Sequence, residues 1–390
     1  MGLFSREQAF PPIWDDEDCD ELGELTELID CPWIDIDNRY TIILNCAFED
    51  VEGVEKISIA STIELIEEGA FWGCSVLKEI CVDENNKKYK TIDGNLYSKD
   101  GKILIKYAGG KEENGFIVPN RVTHINNYAF EDADHLTRIS IGDNVVSIGE
   151  QAFSSCRNLI NINISYKNPE YRSIEGVLYS KGGKELIAYP QGKAEKSFMP
   201  PESVMSINNY ALNWARGLRD IFIGKNISFI SEKAIDACGD LMNIKVVSDN
   251  PNYKSVEGVL YSKDGKKIIR YPQGKAGTSF VIPNGVTYIA ENAFSFCKNL
   301  TNIIINKEIA SIGRNAFWFC DNLKNIYYMG GKDDWVKISI DPFSYVIDLD
   351  IYYYSEIEIT FHGREVAYKG KYWHYDADGE TPVVWIRDKD

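Results

Sequence analysis

The side chains best equipped for chemistry in this chain are its nine cysteines, four histidines and 59 carboxylates. Thiols could pair as disulfides, bind zinc or act as nucleophiles. Their arrangement argues against disulfides and metal, because the count is odd and no C-x-x-C pair occurs. Five of them, Cys74, Cys156, Cys238, Cys297 and Cys320, recur at one register position that Val51, Ala133 and Ala215 fill elsewhere. A position that takes Cys, Ala or Val selects a small apolar side chain, and a free cysteine packs as one. Cys297 and Cys320 fall in neighbouring copies, so a disulfide between them stays open if the Cβ geometry allows it. Cys81 falls on the outward side of a strand and is the expected exposed thiol. For Cys19, Cys31 and Cys46 no pairing follows. His124, His135, His362 and His374 stand at no metal-ligand spacing from one another or from a cysteine. No G-x-S-x-G elbow, P-loop or dinucleotide fingerprint occurs, and the carboxylates form no reproducible acid/base pair. The expectation is a protein that is not an enzyme and uses no cofactor or metal.

Charge narrows the partners. The net charge of −17 disfavours nucleic acid and anionic membranes, both of which require a basic face. A basic protein partner suits it better. Nine carboxylates and no basic residue lie between Asp15 and Asp30. This stretch reads as a solvated tail or cap face, with docking to a basic partner as the alternative. No window approaches the length and apolarity of a membrane span. Residues Met1 to Arg6 are followed by Pro11-Pro12 and acids. This start shows neither a secretion signal nor, with Arg6 in place of Ser or Thr, a myristoylation pattern. The expectation is a cytoplasmic protein, or an exported one whose signal was removed.

The elements that would position any site come from an internal repeat. Its anchor is an Ala-Phe step: Ala47-Phe48, Ala70-Phe71, Ala129-Phe130, Ala152-Phe153, Ala293-Phe294 and Ala316-Phe317, with Ala211-Leu212 and Ala234-Ile235 as variants. Ile stands four places before each Ala, Leu (once Val54) seven after, and Ile ten after. The L-x-x-I-x-I stretch alternates at period two, as a strand with one buried face does. The A-F-x-x-C-x-x-L stretch has the rhythm of a short helical turn. Strand plus turn within one such period is one coil of a solenoid, and coils must stack to share a core. The anchors pair at 47 and 70, 129 and 152, 211 and 234, and 293 and 316, so a short period is nested in a longer one. Between pairs lies an insert, Tyr89 to Ser98, Tyr171 to Ser180 and Tyr253 to Ser262, each followed by Asp-Gly or Gly-Gly. Those dipeptides predict a type I′ hairpin turn. Each long unit therefore reads as two coils plus a hairpin excursion.

These residues resemble the BspA-like, or Treponema-type, leucine-rich-repeat family, as in Ile312-Gly313-Arg314-Asn315-Ala316-Phe317-Trp318-Phe319-Cys320. The insert Gly258 to Lys266 resembles one found in such proteins from gut bacteria. The resemblance implies a right-handed solenoid, mostly β with short helical turns. It also implies a cell-surface or secreted, adhesin-type protein that binds host or neighbouring-cell proteins. The organisation expected is an acidic N-terminal cap over 1–40, eight coils over 41–330 and a β-rich C-terminal cap over 331–390.

Outward strand positions are the candidate binding face: Arg138, Asn163, Phe222, Lys245, Ile304 and Tyr327. Phe222, Ile304 and Tyr327 are apolar where the core cannot use them, unless the inserts cover them. A further candidate is an aromatic face of Trp335, Tyr372, Trp373 and Trp385, whose rings could stack on sugars or simply cap the last coil. Three functions remain: adhesion through protein binding, an intracellular interaction scaffold, and carbohydrate binding.

Overall fold

The computed structural model describes residues 32–49, 51, 53–346, 349–356, 372–379 and 381–384. The acidic run 15–30, Cys19, Cys31, His362 and Trp385 lie outside the described residues. The described residues form a mostly-β solenoid of about 14 turns with almost no helix. It divides into two compact units, residues 1–193 with 209–215, and 194–208 with 216–390.

In the first unit the strands Trp33–Ile36, Lys56–Ile59 and Glu79–Val82 form one parallel ladder. Gly115–Ile117, Arg138–Ile141 and Asn161–Ile164 form another. Register steps by one repeat between neighbouring coils, pairing Lys56 with Glu79 and Arg138 with Asn161. Ile57, Ile59, Ile139 and Ile141 point inward and are buried, as period-two alternation requires. Short strands such as His124–Ile125 and Ser147–Ile148 line the other side of each coil. Between them the Ala-Phe step turns into the core. Phe130 stacks on Phe153 at 5.6 Å between centroids, and Phe48 on Phe71 at 5.6 Å. The cysteine four places after each Ala is a core thiol. Cys156 Sγ donates to the Phe130 carbonyl at 2.9 Å and Cys74 Sγ to that of Phe48 at 3.1 Å.

The expected helical turn is not helical. Each Ala-Phe step is flanked by residues in left-handed backbone, such as Tyr128 (φ 57°) and Asp132 (φ 61°), and such residues stop an α-helix from propagating. Among the described residues the one α-helix is Lys332–Trp335.

The insert also departs from expectation. Its first two strands, Tyr89–Ile92 and Asn95–Ser98, form an antiparallel hairpin, and Ile103–Lys106 adds antiparallel to the second. Ile103–Lys106 then pairs in parallel with His124–Ile125, and Gly115–Ile117 with Arg138–Ile141. The insert is therefore a coil in its own right from which a hairpin protrudes, so a long unit has three coils rather than two. Tyr107 takes the phenylalanine position: its amide donates to the Ala129 carbonyl at 2.7 Å, as that of Phe130 does to Ala152 at 2.8 Å. In the second unit Tyr271 repeats this bond to Ala293 at 2.8 Å. The type I′ turns sit at Asp93-Gly94, Glu175-Gly176 and Glu257-Gly258, where both central residues have positive φ. At Lys99-Asp100-Gly101 only Gly101 does, so that loop is a longer bulged turn.

In the second unit Ser197–Phe198, Asp220–Ile223 and Asn243–Val246 form a ladder. Ser279–Val281, Asn302–Ile305 and Asn325–Tyr328 start another. The repeat sequence ends at Tyr328, but the ladder continues. Asp350–Tyr354 pairs in parallel with Asn325–Tyr328, and Tyr372–Tyr375 follows it. Pro382–Val384 returns antiparallel to Tyr372–Tyr375. Likewise Trp33–Ile36 enters the first unit's ladder ahead of the position where the coils were expected to begin.

Candidate interaction surface

Each long strand offers two outward positions, and the structure places the predicted residues on them unequally. Arg138, Asn163 and Lys245 are exposed. Phe222 is half-buried, and the Lys245 ammonium lies over its ring, 5.2 Å from the centroid. The same ammonium pairs with Asp220 at 2.8 Å, and Asn243 Nδ2 donates to Asp220 Oδ1 at 2.9 Å. The Lys245 hydrogen bond is the largest of the effects that hold the Asp220 carboxyl below its usual range. In the first unit Lys56 pairs with Glu79 at 2.9 Å. Cys81 stands next to them, half-buried and not the exposed thiol expected. Burial, then hydrogen bonding to Glu79, raises its pKa, which lowers its reactivity.

Ile304 and Tyr327 are not available to a partner. Ile304 is 1% exposed and Tyr327 is buried. What covers them is not a hairpin insert but Trp373, itself 0% exposed. Its ring meets Tyr327 edge-on at 5.4 Å and Tyr354 at 5.2 Å, and its Nε1 donates to the Tyr328 carbonyl at 3.0 Å. The expected C-terminal aromatic face is corrected with it. Trp335 is buried on the core side, edge-on to Tyr328 at 5.1 Å. Trp373 belongs to a different cluster, with Ile304 and Tyr327, and Tyr372 is half-buried against Tyr353. Cys297 and Cys320 are both free thiols; Cys320 Sγ donates to the Phe294 carbonyl at 2.9 Å.

Three outward residues escaped the sequence reading. Ile117 is 77%, Met199 58% and Val281 47% exposed. They sit on the insert coils. Ile117 is in register with Ser140 and Val281 with Ile304, and Met199 continues the register of Phe198 with Ile221. The signal was present in Gly115-Phe116-Ile117, Ser197-Phe198-Met199 and Ser279-Phe280-Val281. These recur at the same place in all three long units, each one short period ahead of the next coil's strand. Among the described residues no cluster of His, Cys, Asp and Glu could hold a metal, and no helix is long and apolar enough to cross a membrane.

A stack of short coils with an Ala-Phe core step and a parallel strand face defines a leucine-rich-repeat solenoid. The family model for the BspA type leucine rich repeat region matches in six copies, over residues 27–103, 110–180, 191–261 and 273–357, so the chain belongs to that family. Solved structures similar to it include a leucine-rich cell surface protein from Faecalibacterium prausnitzii. It is 23% identical, with 79% of this chain and 82% of that one covered, at TM-score 0.43. A leucine-rich repeat protein from Eubacterium ventriosum is 22% identical over 62% and 70%, at TM-score 0.40. The pneumococcal vaccine antigen PcpA is 17% identical over 81% and 80%, at TM-score 0.42. No curated protein matches the chain.

Proposed function

We propose that this protein is a non-catalytic, protein-binding solenoid acting in adhesion at a cell surface, and that it engages its partner through the outward strand positions. The observation that carries this is the exposure of Ile117, Met199 and Val281 at one repeated register position. The core has no use for them there, and apolar groups held on a rigid strand face are the usual anchors of protein recognition. Arg138 and Asn163 flank Ile117 on its ladder, and Phe222 and Lys245 flank Met199. Arg138, Asn163 and Lys245 supply the polar rim that accompanies such anchors. The net charge of −17 favours a partner with a basic surface.

The test uses the full chain, fluorescently labelled, on intact host epithelial cells and on bacterial neighbours. Saturable binding that disappears after the cells are shaved with protease is the expected result. An Ile117→Ser, Met199→Ser, Val281→Ser variant should bind at least about tenfold more weakly, since each anchor contributes on the order of 1 kcal/mol. Equal binding by the variant would remove the strand face from the reading.

A further inference from the structure

A polar hollow opens beside the short strands at the first insert coil. Two residues separate Leu104 from Tyr107, whereas four separate its ladder partner Ile125 from Phe130. The insert coil is therefore two residues shorter there than the coil that follows, and than the one before, where four separate Ile66 from Phe71. Glu67, Glu68 and Trp72 line the gap from the preceding coil and Asn127 from the following one, above the buried pair Lys106 and Glu131. The hollow measures about 290 Å³ and is open to solvent.

Its charge is unbalanced. Lys106 answers Glu131 at 3.6 Å, which leaves the carboxylates of Glu67 and Glu68. One oxygen of each is held: Glu67 Oε2 accepts from the Asn45 amide at 2.8 Å, and Glu68 Oε2 from Asn127 Nδ2 at 2.6 Å across the gap. Among the described residues neither carboxylate meets a cation. Trp72, 45% exposed, lines the same hollow, and the face of an indole attracts cations.

The third insert has the same short coil, with two residues between Ile268 and Tyr271, but there the cations are built in. Glu232 stands where Glu68 does, and its Oε1 is paired with the Lys267 ammonium, which also lies over the Tyr288 ring at 4.6 Å. Lys233 pairs with Glu291 at 3.5 Å. The matching residues at the first insert are Ile103 for Lys267 and Gly69 for Lys233. The first hollow thus has the carboxylate without the ammonium.

We propose that the hollow between Glu67, Glu68 and Trp72 receives the ammonium of a lysine side chain from the protein partner. A lysine ammonium is compact and carries three donors, enough to reach the remaining carboxylate oxygens while its stem lies along the indole. The net charge of −17 draws a basic partner toward the site. That the lysine belongs to a protein rests on the reading above; the preference for an ammonium does not.

The experiment is calorimetric titration of the full chain with pentalysine in about 150 mM salt, which screens diffuse attraction. Pentalysine is expected to bind and its Nε-acetylated form not to. Glu67→Gln with Glu68→Gln should weaken binding about tenfold, and Trp72→Leu should weaken it several-fold. Glu112→Gln with Asp143→Asn removes the same charge from exposed positions outside the hollow and should change binding less than about twofold. Ile103→Lys should abolish binding by supplying the ammonium from within, as Lys267 does. Because it adds an ion pair and removes none, it keeps the test decisive should the glutamine pair lower the melting temperature. Absence of pentalysine binding, equal losses in the hollow and control variants, or binding indifferent to Ile103→Lys would overturn the proposal. So would spermine that binds as tightly as pentalysine and displaces it, since the ligand would then be a free polyamine. The strand-face variant should bind pentalysine unchanged, so the hollow and the adhesion reading fail separately.

Discussion

Arg270 stands where the repeat elsewhere places alanine, directly before Tyr271, and its guanidinium is buried. Nη1 lies 3.4 Å from Asp236 Oδ1 and donates to Ser295 Oγ at 2.8 Å, and Nη2 donates to the Glu232 carbonyl at 3.1 Å. Ser295 Oγ and Gln273 Nε2 donate to the same Asp236 oxygen at 2.6 and 3.0 Å. The equivalent residue in the first insert is Lys106, buried against Glu131 at 3.6 Å; in the second it is Ala188. The chain thus contains its own comparison. Asp236→Ala alone should cost about 3–5 kcal/mol, because it strands a buried cation. Adding Arg270→Ala should restore most of that, and a double-mutant cycle in urea measures the coupling. Equal losses for the single and double variants would contradict it. Burial also pushes the phenols of Tyr128 and Tyr261 up to about 12. A phenol kept neutral by the fold adds stability that is complete below its unfolded value, near 10, and is lost as pH climbs through about 12. Absorbance titration at about pH 11 should therefore count fewer phenolates in the native protein than in urea.

At the scale of elements, the sequence laid out the eight motif-bearing coils because Ile, Ala-Phe and Leu each occupy a position where only one kind of side chain fits the core. It concealed the insert coils for the converse reason. Lys106-Tyr107 and Arg270-Tyr271 fill the Ala-Phe position, and a lysine or arginine does not look like core until its carboxylate partner on another coil is in view. The covering of Ile304 and Tyr327 was hidden similarly, since Trp373 reaches Tyr327 from a strand that lies beyond the end of the repeat sequence. The outward direction of those two residues was legible from alternation alone; their burial depended on tertiary contact. The return of the insert against the preceding coil depends on a glycine. The Gly274 amide donates to the Leu241 carbonyl at 2.8 Å, and a Cβ there would lie 2.6 Å from the Gly239 oxygen. Gly274→Ala should destabilise by about 1–3 kcal/mol through overpacking, read as a lowered urea midpoint. An unchanged midpoint would show that the two backbones can part.

For the molecule as a whole, a solenoid draws its stability from each coil and its immediate neighbours. Trp373→Ala removes about 3–5 kcal/mol of buried aromatic packing, and the loss should stay local. Hydrogen exchange should quicken in Asn302–Ile305, Asn325–Tyr328 and Asp350–Tyr354 and remain unchanged in Lys56–Ile59. Uniform quickening along the chain would instead mark one cooperative block. The buried Arg270 pair has a consequence of another kind. Three near-copies of one long module give a folding chain, or two tangled chains, strands that could join out of order. The residue matching Asp236 is Ser154 one module earlier and Trp72 two modules earlier. A third insert that docked in the second insert's place would bury its guanidinium with no carboxylate to meet it, since Ser154 and Asn213 stand where Asp236 and Ser295 do. The pair thus works as an address label, and modules spliced in a new order would misdeliver unless the label were rewritten with them.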